Sequence, residues 1–308
     1  MSELASEPAS TVSELRFDGR SVIVTGAGRG VGRSYALLLA ARGARVVVAD
    51  LGGELDGSGS SPGPADAVVK EIEAAGGTAV ACHESVADEA GAASIVQTAV
   101  DAFGRLDAVI NNAGISDPER FENLSLAQFR RMLDVHYLGT LYVLKAAWPQ
   151  LRASGSGRVV NTCSEATGGI HEKVTSYGAA KGGVLGLTFT LATEGKRHGI
   201  LVNAIAPRAA TRLSAPAAMA GIFEVSIEDA TAMIAPFAPE AVAPVGAFLA
   251  HESCQLNGTV LVAGGGQVQR LAIMESPGVT VEGLTMEDVA ANIGAVTDMR
   301  DAQVLAWL

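Results

Sequence analysis

Short apolar runs alternate with amphipathic stretches along most of the chain. SVIVT (21–25), ARVVVAD (44–50), TAVAC (78–82), LDAVI (106–110), RVVNTC (158–163), ILVNAIA (200–206) and TVLVA (259–263) are nearly continuous apolar segments. Runs of that length and character are expected of strands buried on both faces. Helical spacing fills the intervals at 30–42, at ADAVVKEIEAAG ending on Gly76, at 88–103, 125–151 and 176–197, and in a short helix reaching Ala250. Apolar strands alternating with helices predict an α/β fold: one Rossmann-type doubly wound parallel sheet of about seven strands, with helices on both faces. Residues 1–16 read as a flexible polar tail, 17–265 as one domain without a linker, and 266–308 as an extension of mixed helical signal. GGELDGSGSSPGP (52–64) is a Gly/Ser/Pro loop, and no internal repeat is detectable.

Composition narrows the partners. The 308 residues are 48% hydrophobic, enough for a sizeable core, but only 5% aromatic, with 36 glycines, which suits helices lying close on a sheet. A formal net charge of −11 repels phosphate backbones, so nucleic acid is not an expected partner and the charge serves solubility. Cys82, Cys163 and Cys254 are few, odd in number and widely spaced, which is neither a disulfide framework nor a zinc pattern. No metal site is expected, and the cysteine usage fits a reducing compartment. MSELASEPASTVSEL lacks a basic region followed by an apolar run, and no uninterrupted apolar stretch reaches about 18 residues. The expectation is a cytoplasmic protein with no membrane partner.

Two stretches carry chemistry. TGAGRGVG (25–32) lies between the first strand and the first helix. Gly26, Gly30 and Gly32 permit a tight turn and close backbone approach to a pyrophosphate, which the following helix N-terminus attracts. Asp50 ends the second strand 24 residues past Gly26, near the offset of an acid that binds a ribose 2′-hydroxyl and repels a 2′-phosphate. Arg29 pulls towards NADP, but Asp50 is the more directly placed, so NAD is the expected cofactor. In TSYGAAK (175–181), Tyr177 and Lys181 are four apart and share a helix face. An ammonium beside a phenol lowers its pKa, so the pair is a candidate acid/base device.

With these residues in place, the chain resembles the short-chain dehydrogenase/reductase family from about residue 17 to 265. TGAGRGVG matches its cofactor loop, NNAG (111–114) its structural motif, and Ser164, Tyr177 and Lys181, spaced by 13 residues and then YxxxK, its catalytic set. DLGG (50–53), DVHYLGT (134–140) and HESCQLNG (251–258) are similar to the multifunctional enzyme type 2 branch, also called 17β-hydroxysteroid dehydrogenase type 4, whose members oxidise (3R)-hydroxyacyl-CoA esters. The resemblance implies hydride transfer between a nicotinamide and a secondary alcohol carbon. Tyr177 would be the acid/base, Lys181 would tune it and grip the ribose, and Ser164 would hold the substrate oxygen. His136 stands where most members have an active-site Asn, to hold a water or relay protons itself. Cofactor contacts are implied at Gly26, Arg29, Gly30, Val31, Gly32, Asp50, Leu51, Ser85, Val86, Asn111, Asn112, Ala113, Gly114, Tyr177, Lys181, Pro207 and Thr211, and less firmly at Glu84.

Arg208 follows Pro207 where most members have glycine. Segment 209–237 occupies the place of a substrate lid, and its Ala/Met/Ile content suits an apolar ligand. Arg208, Arg212 or the 266–308 extension could supply the basic residues that a CoA ester calls for. Cys163 reads as a small buried hydrophobe, and His171, Glu172 and Lys173 as solvated loop residues. The expected partners are a small-molecule or CoA-ester substrate and a second or further copies of the chain, as a homodimer or homotetramer. Two other readings stand beside this one: a generic NADP-dependent carbonyl or 3-oxoacyl reductase, and a non-catalytic cofactor-sensing protein.

Overall fold

The computed structural model describes residues 13–305; of the expected tail, residues 1–12 lie outside the described residues. Strands β1 (Ser21–Thr25), β2 (Arg45–Ala49), β3 (Thr78–Cys82), β4 (Ala108–Asn111), β5 (Arg158–Thr162), β6 (Leu201–Pro207), β7 (Val260–Gly264) and β8 (Gln267–Leu271) form one sheet in the order β3-β2-β1-β4-β5-β6-β7-β8. All neighbours are parallel except β7 and β8, which are antiparallel. The sheet therefore has eight strands, one more than the apolar runs predict. QVQRL escapes the pattern because it is a largely exposed edge strand.

Helices α1 (Gly30–Ala41), α2 (Gly63–Ala74), α3 (Glu89–Phe103), α4 (Leu126–Leu133), α5 (Gly139–Ala153) and α6 (Thr175–Lys196) supply the crossovers. Alternate strand residues face opposite layers, as the two-residue strand period requires. Val22, Val24, Val46, Val48 and Ile110 pack with Tyr35 and Leu39 of α1 and Val68 and Ile72 of α2. Ile23, Val47, Val109, Val159 and Val202 pack on the other face with Ile95 of α3 and Val143, Leu144 and Leu151 of α5. Strand order reverses between β1 and β4, and a parallel sheet opens a crevice at the carboxyl ends of its strands there.

The segment expected as one helix over 125–151 is divided. A π-helical turn, Asp134–Leu138, separates α4 from α5. Beyond β6 come α7 (Pro216–Phe223), α8 (Ile227–Ile234) and α9 (Ala243–Ala250). The apolar span Ile227–Ala250 has the length and hydropathy of a membrane helix. It is interrupted by Pro236, Pro239 and Pro244, and Val242, Ala243, Ala247 and Leu249 are buried in the core. The chain ends with β9 (Met274–Glu275), α10 (Met286–Val296) and β10 (Gln303–Val304), the two short strands pairing with each other.

Candidate active site

The turn from β1 into α1 is shaped by close backbone contacts. Gly26 has φ +64°, and a Cβ there would lie 2.8 Å from Ala113 Cα. A Cβ on Gly32 would collide with the Gly26 carbonyl. Asn112 Nδ2 donates to the carbonyls of Thr25 and Gly26 at 3.0 and 3.1 Å, so the residues after β4 brace the turn. Among the described residues no side chain caps the N-terminus of α1. Asp50 Oδ2 accepts from Gly28 N and Oδ1 from Gly52 N, both at 2.7 Å. The carboxylate is thus fixed by two backbone donors, and its remaining lone pairs can accept from a ligand hydroxyl.

The second group of residues lies at the ends of β5 and α6. Ser164 Oγ accepts from Ala166 N at 3.1 Å as cap of the 3₁₀ turn Glu165–Gly168, which leaves its own proton free to donate. Lys181 is buried, and its Nζ donates to Thr162 O at 2.6 Å. Two further N–H bonds on that nitrogen remain, and burial holds its pKa down to about 8. Nζ is 5.7 Å from the centre of the Tyr177 ring. Tyr177 departs from expectation: its pKa is raised, by burial first, with the Ser164 hydroxyl acting in the opposite direction. Desolvation outweighs the Ser164 hydroxyl.

The π turn carries His136 inward. Its ring is buried, stands edge-on to Tyr177 at 5.2 Å, and places Nε2 2.9 Å from Ile115 O and 3.1 Å from Ile115 N. Nδ1 is buried without a partner among the described residues. Burial, and next the charge of Lys181, push the His136 pKa well below its ordinary 6.5. The ring is therefore disfavoured from taking up a proton near neutral pH. His136 is a neutral side chain that holds the Ile115 backbone, immediately after the Asn112–Gly114 turn.

Both groups open onto one cavity of about 830 Å³. Gly26, Arg29, Gly30, Val31, Asp50, Leu51, Ser85, Val86, Asn112, Ala113, Gly114, His136, Ser164, Tyr177, Lys181, Pro207 and Thr211 all line it, and Glu84 also reaches it. Of the residues expected at the cofactor, Gly32 and Asn111 lie behind the wall. Gly32 packs under Gly26, and Asn111 bonds Asn161, which in turn bonds Thr188.

The short chain dehydrogenase family model matches residues 20–216. The chain belongs to the short chain dehydrogenase family. A short-chain type dehydrogenase/reductase of Mycobacterium tuberculosis is 44% identical over 94% of this chain and 97% of its own length. The peroxisomal multifunctional enzyme type 2 of Drosophila melanogaster is 39% identical over 96% of this chain, which spans 48% of that protein. Its solved full-length structure superposes with a TM-score of 0.76, at 32% structure-based identity, over 95% of this chain and 48% of the solved one. Carveol dehydrogenase from Mycobacterium avium, solved with NAD, superposes at 0.74 with 26% identity over 81% of this chain and 97% of its own.

Membership makes the chain an oxidoreductase, and the glycine-built turn that no Cβ could enter fits the phosphates of a nicotinamide dinucleotide. Several contacts around this dehydrogenase cavity were not expected. Arg208 forms a bidentate pair with Glu165 at 2.7 and 2.6 Å, directly after Ser164. His171, Glu172 and Lys173 are engaged rather than freely solvated. His171 stacks edge-on with Phe223 of α7, Glu172 pairs with Arg120, and Lys173 and Arg120 both pair with Glu224. These partners come from distant segments, so no local spacing could have revealed them.

Proposed function

We propose that this chain is an NAD-dependent oxidoreductase that interconverts a secondary alcohol and a ketone, with a (3R)-3-hydroxyacyl-CoA or a steroid-type molecule, including a steroid side-chain CoA ester, as substrate. The carrying observation is the single cavity that joins the braced carboxylate of Asp50 to Ser164, Tyr177 and Lys181. A bound nicotinamide would supply the hydride acceptor or donor. Gly26, Gly30, Val31, Asn112, Ala113, Gly114, Pro207 and Thr211 would hold the dinucleotide, with Asp50 at the adenosine ribose. A carboxylate there repels a 2′-phosphate, which supports NAD over NADP.

Ser164 donates its free proton to the substrate oxygen and fixes it beside Tyr177. The Tyr177 phenolate takes the alcohol proton in oxidation, and the hydroxyl so formed returns it in reduction. Lys181 contributes positive charge that favours the phenolate, and its two unused N–H bonds would hold the ribose hydroxyls. His136 keeps the Ile115 backbone in place. Met219, Ile222, Phe223, Met233, Ile234 and Phe237 of the 209–237 segment line the same cavity, which supports an apolar substrate body.

We place the protein in the cytoplasm as a homodimer or homotetramer. The exposed Met286, Val289 and Ile293 of α10 support self-association. The functional reading is tested by following reduced nicotinamide formation with NAD⁺ or NADP⁺ on a (3R)-hydroxyacyl-CoA and a 17β-hydroxysteroid. Turnover of the thioester with NAD⁺ is expected. Turnover confined to NADP⁺ would give the position to Arg29 and make the chain an NADP-dependent reductase. Tight dinucleotide binding without turnover of any alcohol would leave a cofactor-sensing protein.

A further inference from the structure

The 209–237 segment carries an arginine that the reaction above does not use. Arg212 opens the short turn Arg212–Ser214, and its Nη2 reaches across the cavity to donate to Gly53 O at 2.9 Å. Arg29, the N-cap position of α1, brings Nη1 to within 3.5 Å of the same carbonyl. Two full positive charges thus converge on one partial negative charge. Neither arginine forms an ion pair among the described residues. The carboxylates of Asp50 and Glu54 are near enough to favour the Arg212 cation, but neither comes within ion-pair distance of it. Arg212 Nε is buried with no hydrogen-bond partner among the described residues, and burial, then the charge of Arg29, disfavour its cation more than Asp50 and Glu54 favour it. Such an arrangement is poorly satisfied without an anion between the two guanidiniums.

The position of that anion follows from the neighbouring residue. The Thr211 methyl group lies 3.2 Å from where a Cβ on Gly30 would sit, so the segment meets the chain at the glycine turn of α1. This is the helix end that no side chain caps among the described residues; it attracts phosphate, while the Asp50 carboxylate, held on the neighbouring Gly28 N–H, faces the adenosine ribose in the proposed function. A guanidinium fork matches phosphate oxygens two at a time, and two forks match a dianion.

We propose that Arg212, with Arg29 opposite, clamps the diphosphate of the bound dinucleotide, and that the Arg212–Gly53 contact straps the substrate lid to the 52–61 loop over it. This rests on the nicotinamide reading. The cofactor is favoured over the diphosphate of a CoA ester because the clamp adjoins Gly30 rather than Ser164 and Tyr177.

The test is calorimetric binding of NADH, ADP-ribose, adenosine and CoA to wild type, Arg212→Ala, Arg212→Lys and Arg29→Ala. Arg212→Ala is expected to weaken NADH and ADP-ribose by about 10- to 100-fold while adenosine is unchanged. Arg212→Lys will fall between, since it keeps the charge and loses the fork, and Arg29→Ala will lose about 2- to 5-fold because Arg29 is exposed. Wild-type NADH affinity will also fall more steeply with salt than that of Arg212→Ala. Unchanged ADP-ribose affinity in Arg212→Ala overturns the clamp. So does an equal loss for adenosine, which signals general damage to the pocket, or a loss confined to CoA, which assigns the arginine to the substrate. A wild-type protein that binds no dinucleotide at all overturns the functional reading itself, a result distinguishable from each of these.

Discussion

Replacing Lys181 by methionine will make the unliganded protein more stable at neutral pH while removing its activity. Lys181 is 3% exposed, and its pKa falls from 10.5 to about 8 because burial penalises the cation. At roughly 1.4 kcal/mol per pH unit, the protonated side chain costs the folded state about 3 kcal/mol. Methionine keeps most of the apolar stem but gives up the bond to Thr162 O, worth about 1 kcal/mol. A net gain of about 1–2 kcal/mol is expected at pH 7.

The sign reverses in alkali. Unfolded lysine stays protonated to 10.5, whereas the folded residue loses its proton near 8. Between those values the unfolded state binds more protons, so wild-type stability rises with pH relative to the variant. The gap closes above pH 8 and then favours wild type as 10.5 is approached. Urea denaturation of both proteins at a series of pH values reads the difference directly, and other alkaline titrations cancel. A variant less stable at pH 7, or a gap that does not change with pH, would refute the burial argument.

Further substitutions probe the rest of the site. His136→Ala empties a buried space and frees the Ile115 backbone, so it will cost about 2–4 kcal/mol, whereas His136→Asn retains a donor and an acceptor and will cost less than half as much by urea denaturation. Gly32→Ala drives a methyl group into the Gly26 carbonyl and will destabilise by about 1–3 kcal/mol while weakening NADH binding in a fluorescence titration. Glu165→Gln breaks the bidentate pair with Arg208, each partner about one-third exposed, for about 1 kcal/mol at pH 7. Because Arg208 holds the Glu165 carboxyl below its ordinary 4.5, that difference is full above 4.5 and is lost as acid protonates the wild-type carboxylate, which a pH series of denaturation curves will show.

Much of the scaffold was legible because its strands are apolar runs buried on both faces, a signal that does not depend on partners. Other elements were not, the π turn and β8 among them. The π turn at Asp134–Leu138 keeps a helical backbone, so the hydrophobic spacing through 125–151 reads as one helix although the phase shift is what turns His136 inward. Strand β8 is polar and exposed, and only its pairing with β7 makes it a strand. At the site, the Ser164, Tyr177 and Lys181 spacing and the glycine turn are local and could be read. The direction of the Tyr177 and His136 pKa shifts depends on burial, which a linear chain does not display. The Arg208–Glu165 and Arg212–Gly53 contacts join residues 43 and 159 positions apart.

Tyr177 is assigned the proton, and one substitution separates that role from binding. Tyr177→Phe removes a single oxygen at the cavity wall and leaves Lys181, Ser164 and the glycine turn in place. The direct measurement is initial-rate reduction of NAD⁺ by a (3R)-hydroxyacyl-CoA for wild type and variant, alongside NADH affinity of each. The expected result is a rate loss of at least about 100-fold with NADH affinity unchanged within about threefold. A variant that turns over at a rate near wild type while binding NADH equally well would contradict the assignment of Tyr177 as the acid/base.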